Sequence, residues 1–195
     1  MFIKANTFKK LAKDSWERGV LVLSRKEDIL LIQGASWIIA AQIDVVPNKI
    51  RAILVEMCGF LPDEGQTFRA EKGHENQYEF EQTILWDWID KARKDVRIQL
   101  RTTRAAWLTR SGRMMRIIKG TDTMFFPQES LDAVDPAVMV EWEDIVQGPY
   151  EFADRGAFWL NSYGTAIFMK GLPATDDEAA AEYLDGMKGM EVADS

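Results

Sequence analysis

The sequence predicts an α+β protein: two pseudo-repeated helix–strand–helix–strand units forming one domain with antiparallel sheets. Three observations lead there. Leu21–Gln42 (LVLSRKEDILLIQGASWIIAAQ) aligns without a gap on Trp107–Gln128 (WLTRSGRMMRIIKGTDTMFFPQ), setting Ile32-Gln33-Gly34 against Ile118-Lys119-Gly120. Further on, Ala70-Glu71-Lys72-Gly73 is answered by Ala153-Asp154-Arg155-Gly156, so the second copy is similar in order and in length. No low-complexity linker divides the halves, and 195 residues suit one good core better than two independent ones. A repeat of this size implies two supersecondary units that bury a shared core. The expected layout is a domain over residues 1–174, with units of about 1–82 and 83–174, and an acidic C-terminal helix and tail over 175–195.

Taken in order, Thr7 stands where it caps a first helix that buries Phe8, Leu11, Ala12 and Ser15/Trp16, places Lys9, Lys10 and Lys13 elsewhere, and stops at Gly19. Val20–Leu23, Ile29–Gln33 and Trp37–Ile43 read as strands, with turns at Arg25–Asp28 and Gly34–Ser36. Pro47 opens a second helix whose Ile50, Ile53, Leu54 and Met57 recur at i, i+3, i+4 and i+7, and Gly59 and Pro62 close it. Two short strands follow, Gln66–Ala70 and Gln77–Phe80.

The second unit opens on the helical stripe Leu85, Trp88, Ile89 and Ala92. Val96, Ile98 and Leu100 then alternate with Arg97, Gln99 and Arg101, the pattern of a half-buried strand. A hairpin around Ser111-Gly112 and a strand near Thr123–Phe126 come next. A helix is expected around Ser130–Trp142, interrupted by Pro136, and Tyr150–Ala153, Ala157–Asn161 and Thr165–Met169 complete the strands. Thr175-Asp176-Asp177-Glu178 is a capping-box pattern that opens a short final helix ending near Gly186.

Several function classes recede on composition. No apolar run reaches the ~20 residues that cross a bilayer, so no membrane partner is expected. The opening MFIKANTFKKLAKDSW lacks the uninterrupted apolar stretch of a secretory signal. The single Cys58 excludes an internal disulfide, and a cytoplasmic location follows as the expectation. His74 is the only histidine and no nucleophile-elbow motif occurs, so a triad is not expected and the chain reads as non-enzymatic. One Cys and one His do not assemble a structural zinc site, and no phosphate-binding glycine motif is present, so no cofactor or metal is expected. Asp87/Asp90 and Glu141/Glu143/Asp144 read as solvated helix faces rather than a Mg²⁺ site.

Charge is the stronger signal. The net −7 hides a partition: residues 91–119 carry ten Lys and Arg against the lone acid Asp95, and residues 120–195 carry sixteen acids against three bases. With Ser111-Gly112 as a two-residue loop, the hairpin pairs Arg110 with Arg113, Thr109 with Met114, Leu108 with Met115, Trp107 with Arg116 and Arg104 with Lys119. Like charges opposite each other disfavour that hairpin unless an anion lies nearby. Arg97, Arg101, Arg104, Arg110, Arg113, Arg116 and Lys119 are therefore candidates for contact with phosphate, with an acidic protein partner, or with the molecule's own acidic half. Trp107 opposite Arg116 is a candidate cation–π pair, and Trp86, off the stripe that Trp88 fits, a candidate partner contact. Asp176, Asp177, Glu178 and Glu182 form an acidic surface able to mimic nucleic-acid phosphates; the first three also favour a helix N-terminus electrostatically.

Thr7-Phe8-Lys9-Lys10-Leu11 is similar to the first helix of a DNA sliding clamp, and Gly164-Thr165-Ala166-Ile167-Phe168-Met169 to a clamp's final strand. Over roughly residues 3–172 the chain resembles one clamp-type domain, in which two such units are related by a pseudo-twofold. The resemblance implies that Lys9, Lys13, Lys91 and Lys94 face DNA and that the protein forms a homo-oligomer. Clamp chains hold two or three such domains where this one holds one, and the arginine-rich hairpin lies outside a clamp's lining helices. The expected function is a non-enzymatic binding module, a phage or mobile-element type accessory protein, contacting nucleic acid or a nucleic-acid-processing protein through the basic hairpin. The alternative is a phage-type inhibitor of a host defence nuclease, anti-CRISPR-like, acting through the acidic face.

Overall fold

In a computed structural model, residues 1–78, 89, 97–109, 114–119, 123–135, 145–152 and 156–171 are described. Helix α1 (Ala5–Glu17) turns Phe8, Ala12 and Ser15 inward along one stripe, with Leu11 and Trp16 half-buried beside them. It begins two residues before Thr7, with Lys4 at the N-cap and no side-chain cap. The predicted Thr7 cap is overridden by tertiary pairing: Ile3 bridges Val134, the Lys4 amide donates to the Ala133 carbonyl at 2.8 Å, and the Asp135 amide donates to the Phe2 carbonyl at 3.0 Å. Once the backbone is released from that pairing, it coils at once.

A meander follows, β1 (Leu21–Lys26), β2 (Ile29–Gln33) and β3 (Trp37–Gln42). β3 ends one residue earlier than predicted because Ile43–Val45 forms a 3-10 turn, held by the Arg51 side chain donating to the carbonyls of Ile43 and Val46. Helix α2 (Asn48–Cys58) buries Ile50, Ile53, Leu54 and Cys58, and Gly59 stops it with φ +86°, a conformation that costs a Cβ-bearing residue energy. Strand β4 (Thr67–Ala70) returns to pair with β1.

The second half contributes β5 (Arg101–Leu108), β6 (Met114–Lys119), β7 (Thr123–Pro127), the short helix α3 (Gln128–Leu131), β8 (Gln147–Phe152), β9 (Gly156–Leu160) and β10 (Ala166–Lys170). Helix α3 corrects the predicted helix that began at Ser130: it is four residues long and ends before 133–135, which are committed to pairing with residues 2–4. Ile98 is exposed and Leu100 buried, so the predicted alternation before β5 fails at its outer end. The predicted strand end at Phe80, the stripe Leu85–Ala92 apart from buried Ile89, the loop Ser111-Gly112, Pro136–Trp142 and the helix from Thr175 lie outside the described residues.

Helices and antiparallel sheet together make the fold α+β. Seven strands form one sheet in the order β4-β1-β2-β3-β10-β9-β8, and β5-β6-β7 form a second. The long sheet takes strands from both ends of the chain, joined where β3 meets β10 with Ile39 opposite Ile167 and Ile38 opposite Phe168. Both of its faces are covered. Leu30, Ile32, Trp37, Ile39, Trp159, Ile167 and Met169 point to the core shared with α1, α2 and the three-stranded sheet. Their neighbours Leu31, Ile38, Ala40, Phe158, Ala166 and Phe168 point the other way, against Ile89. Alternate positions are thus buried on opposite sides, and the strands read as continuous apolar runs.

Gly34 sits where β2 turns into β3, its amide donating to the Trp37 carbonyl at 2.9 Å. A Cβ there would collide with the Trp37 indole and the Ser15 hydroxyl. Gly34→Ala is expected to destabilise the fold by about 1–3 kcal/mol, the usual cost of overpacking, as measured by urea denaturation.

Candidate functional site

The basic segment folds as the β5–β6 ribbon, in a register different from the predicted one. Leu108 faces Met114, Trp107 faces Met115 and Ala106 faces Arg116; after an irregularity, Thr102 faces Ile118 and Arg101 faces Lys119. Between Thr102 and Ala106 β5 advances four residues while β6 advances two, a bulge that carries Thr103, Arg104 and Ala105. The predicted Trp107–Arg116 and Arg104–Lys119 pairs are therefore corrected: Trp107 is displaced by one residue to Met115, and Lys119 by three to Arg101. The like-charged pair that does form is Arg101 opposite Lys119.

Arg116 is half-buried and pinned. Its Nε donates to Gln128 Oε1 at 2.8 Å and its Nη1 to the Thr103 carbonyl at 3.4 Å, while Gln128 Nε2 donates to Asp132 Oδ1 at 2.8 Å. This relay ties the ribbon to α3 along a cleft of about 390 Å³ that Pro149 and Trp159 also line. Arg97 stands at the root of the ribbon. Its Nη1 donates to Gln147 Oε1 at 3.0 Å and its guanidinium carbon lies 5.5 Å from the centre of the Tyr150 ring. Residues 98–100 are bonded to β8: the Leu100 amide donates to the Pro149 carbonyl at 2.9 Å and the Glu151 amide to the Ile98 carbonyl at 2.8 Å.

Of the other predicted cations, Arg101 is exposed, and Arg104 and Lys119 have their backbones in β5 and β6. Arg110, Arg113, Lys91 and Lys94 lie outside the described residues, as do Trp86 and the acids Asp176, Asp177, Glu178 and Glu182. Lys9 reaches Glu56 at 2.9 Å and Lys13 reaches Glu17 at 4.0 Å. Both pairs are exposed, and such pairs contribute only about 0–1 kcal/mol, too little to withdraw either lysine from a stronger anion. The Lys72 hydrogen bond to Glu17 holds that carboxyl below its ordinary value.

Two features escaped the sequence reading. One is the Arg116–Gln128–Asp132 relay, which depends on how β6 packs against α3. The other is the exposed pair Leu108 and Met114, the last β5–β6 partners before the connecting residues 109–113. Its signal was available: consecutive apolar residues at both strand ends, Trp107-Leu108 and Met114-Met115, force one of each couple outward.

His74 is exposed, with Nε2 3.9 Å from Glu71 Oε1. Among the described residues no cluster of three or more His, Cys, Asp or Glu is placed to hold a metal ion, and no helix is long and apolar enough to cross a membrane. No protein-family model, curated protein or solved structure matches the chain.

Cys58 is buried at the end of α2, and burial pushes its thiol up to about 12. A raised folded-state value makes a contribution to stability that is complete below the unfolded thiol's 9.0 and is lost as pH rises toward 12. Denaturation series between about pH 8 and pH 11 should show a fall in stability that is shallower in Cys58→Ala.

Proposed function

We propose that this protein is a non-enzymatic, cytoplasmic binding module of phage or mobile-element type, clamp-like in its paired units, that grips nucleic acid through the β5–β6 ribbon. The observation that carries the reading is the folding of the one strongly basic segment into a two-stranded ribbon rooted at Arg97. That arginine is fixed by an amide and an aromatic ring, with no carboxylate at ion-pair distance among the described residues. The amide and the ring hold its guanidinium in place, the fixed placement that phosphate contact uses.

The pairing pattern supports the paired-unit build. A three-strand meander is followed in each half by a helix and a returning strand; β4 pairs with β1, and β8 bonds to residues 98–100 at the root of β5. Weight falls on the ribbon rather than on α1, since residues 91–119 concentrate ten Lys and Arg against one acid, whereas α1 carries Lys9, Lys10 and Lys13 beside Asp14 and Glu17.

Binding to a duplex is expected to weaken steeply with salt, log K falling by about 0.9 per phosphate neutralised for each unit of log salt. Fluorescence anisotropy with a labelled duplex measures that slope. Arg110→Glu with Arg113→Glu should lower affinity by about tenfold or more at low salt and flatten the slope. Salt-independent binding, or none at low salt, overturns the reading.

A further inference from the structure

We infer that the cleft beside the β9–β10 turn binds a small organic oxyanion, a carboxylate or phosphate monoester on a short apolar body, between Arg97 and the Thr165 hydroxyl. The cleft encloses about 250 Å³. Among the described residues that line it, Arg97 is the one cation and there is no acid. Thr165 and Asn161 bring polar groups to it, and Phe158, Leu160 and Ala166 bring hydrocarbon.

Two observations point to a ligand. Thr165 is wholly buried, yet its Oγ1 has no hydrogen-bond partner in the protein. The turn does not need that hydroxyl. It is closed by the Thr165 amide donating to Asn161 Oδ1 at 2.9 Å and by the Asn161 amide donating to the Thr165 carbonyl at 3.1 Å. A buried polar group without a partner is disfavoured, and valine has the same shape without that cost, so the hydroxyl gains its use when a ligand oxygen enters the cleft. The second observation is the seating of Arg97. Its Nη1 is bonded to Gln147 and its face rests on the Tyr150 ring, which in turn meets Phe158 at 5.4 Å between centroids. That stack holds a planar donor fork beside an apolar floor, and such a fork grips carboxylate and phosphate alike through paired bonds.

Burial selects the form of the anion. A phosphodiester is substituted on both sides, whereas Thr165, at 0% exposure, is reached only by a terminal group that enters the cleft. Phe158, Leu160 and Ala166 then cover the hydrocarbon behind the head group. The inference goes beyond the reading of the ribbon and does not depend on it; the two share Arg97 alone.

The test titrates the full chain, without nucleic acid and at constant ionic strength, with benzoate, phenyl phosphate, inorganic phosphate and the neutral benzyl alcohol, reading backbone amide shifts by NMR. Benzoate or phenyl phosphate should give saturable shifts centred on residues 161–166 and bind about tenfold tighter than inorganic phosphate or benzyl alcohol. Either result supports the site, and the tighter of the two assigns the head group. Thr165→Val should weaken that binding about tenfold while thermal stability is retained or raised. Arg97→Gln, at an exposed position, should weaken it at least as much and keeps the test open should Thr165→Val fold poorly. No saturable shift with either aromatic anion overturns the inference, as does unchanged affinity in either folded variant. Benzyl alcohol binding as tightly as the anions would make the cleft an apolar crevice and overturn it too. With no nucleic acid present, failure here leaves the grip standing, and failure of duplex binding leaves this site standing.

Discussion

The contact on which the rest of the structure depends is the seam between β3 and β10. It hydrogen-bonds a strand from the first quarter of the chain to the last described one, and its register decides which residues of the seven-stranded sheet face which core. With Ile39 opposite Ile167 and Ile38 opposite Phe168, the first pair belongs to the core under α1 and α2 and the second to the aromatic cluster on the far side. That cluster is closely built: Phe158 stacks on Phe168 at 5.7 Å between centroids, and Phe152 meets Phe168 edge-on at 5.2 Å. A slip of one residue at the seam would exchange the two sets and strand large aromatics in the wrong layer.

The seam also aims the candidate site. From β10 the ladder passes to β9, from β9 to β8, and from β8 to residues 98–100, between Arg97 and the start of β5. The root of the ribbon is therefore fixed by backbone hydrogen bonds running back to the centre of the sheet. Its mid-section is fixed differently, by Arg116 reaching α3 through Gln128. Two independent anchors, one of backbone and one of side chain, set its direction.

Much of this was legible in the chain, for reasons that differ by element. Ile29–Gln33 was read to the residue, and the strands Gly156–Leu160 and Ala166–Lys170 to within a residue at each end, because uninterrupted apolar runs bounded by turn residues leave little choice. The start of α1 was not, since the pairing of residues 2–4 with 133–135 overrides a good capping residue and no local signal announces a partner so far along the chain. The ribbon's register is one residue off already at Leu108 and Met114, beside the turn, and shifts by two more at the bulge after Thr102; hydrophobic pattern alone marks neither. Cations were visible as cations, but what holds Arg97 and Arg116 depended on Gln147 and Gln128, neutral residues that composition does not single out.

The margins of the long sheet have a consequence for the protein at high concentration. Beyond β4, Arg69 and Gln77 exchange both backbone hydrogen bonds at 2.9 Å, and beyond β8 the carbonyl of Pro149 and the amide of Glu151 are taken by residues 98–100. Each rim is thus occupied at its middle by a short piece of the same chain. A stranger's strand finds no continuous row of free amides to add to there, so a sheet this wide and this apolar is shielded from templated polymerisation.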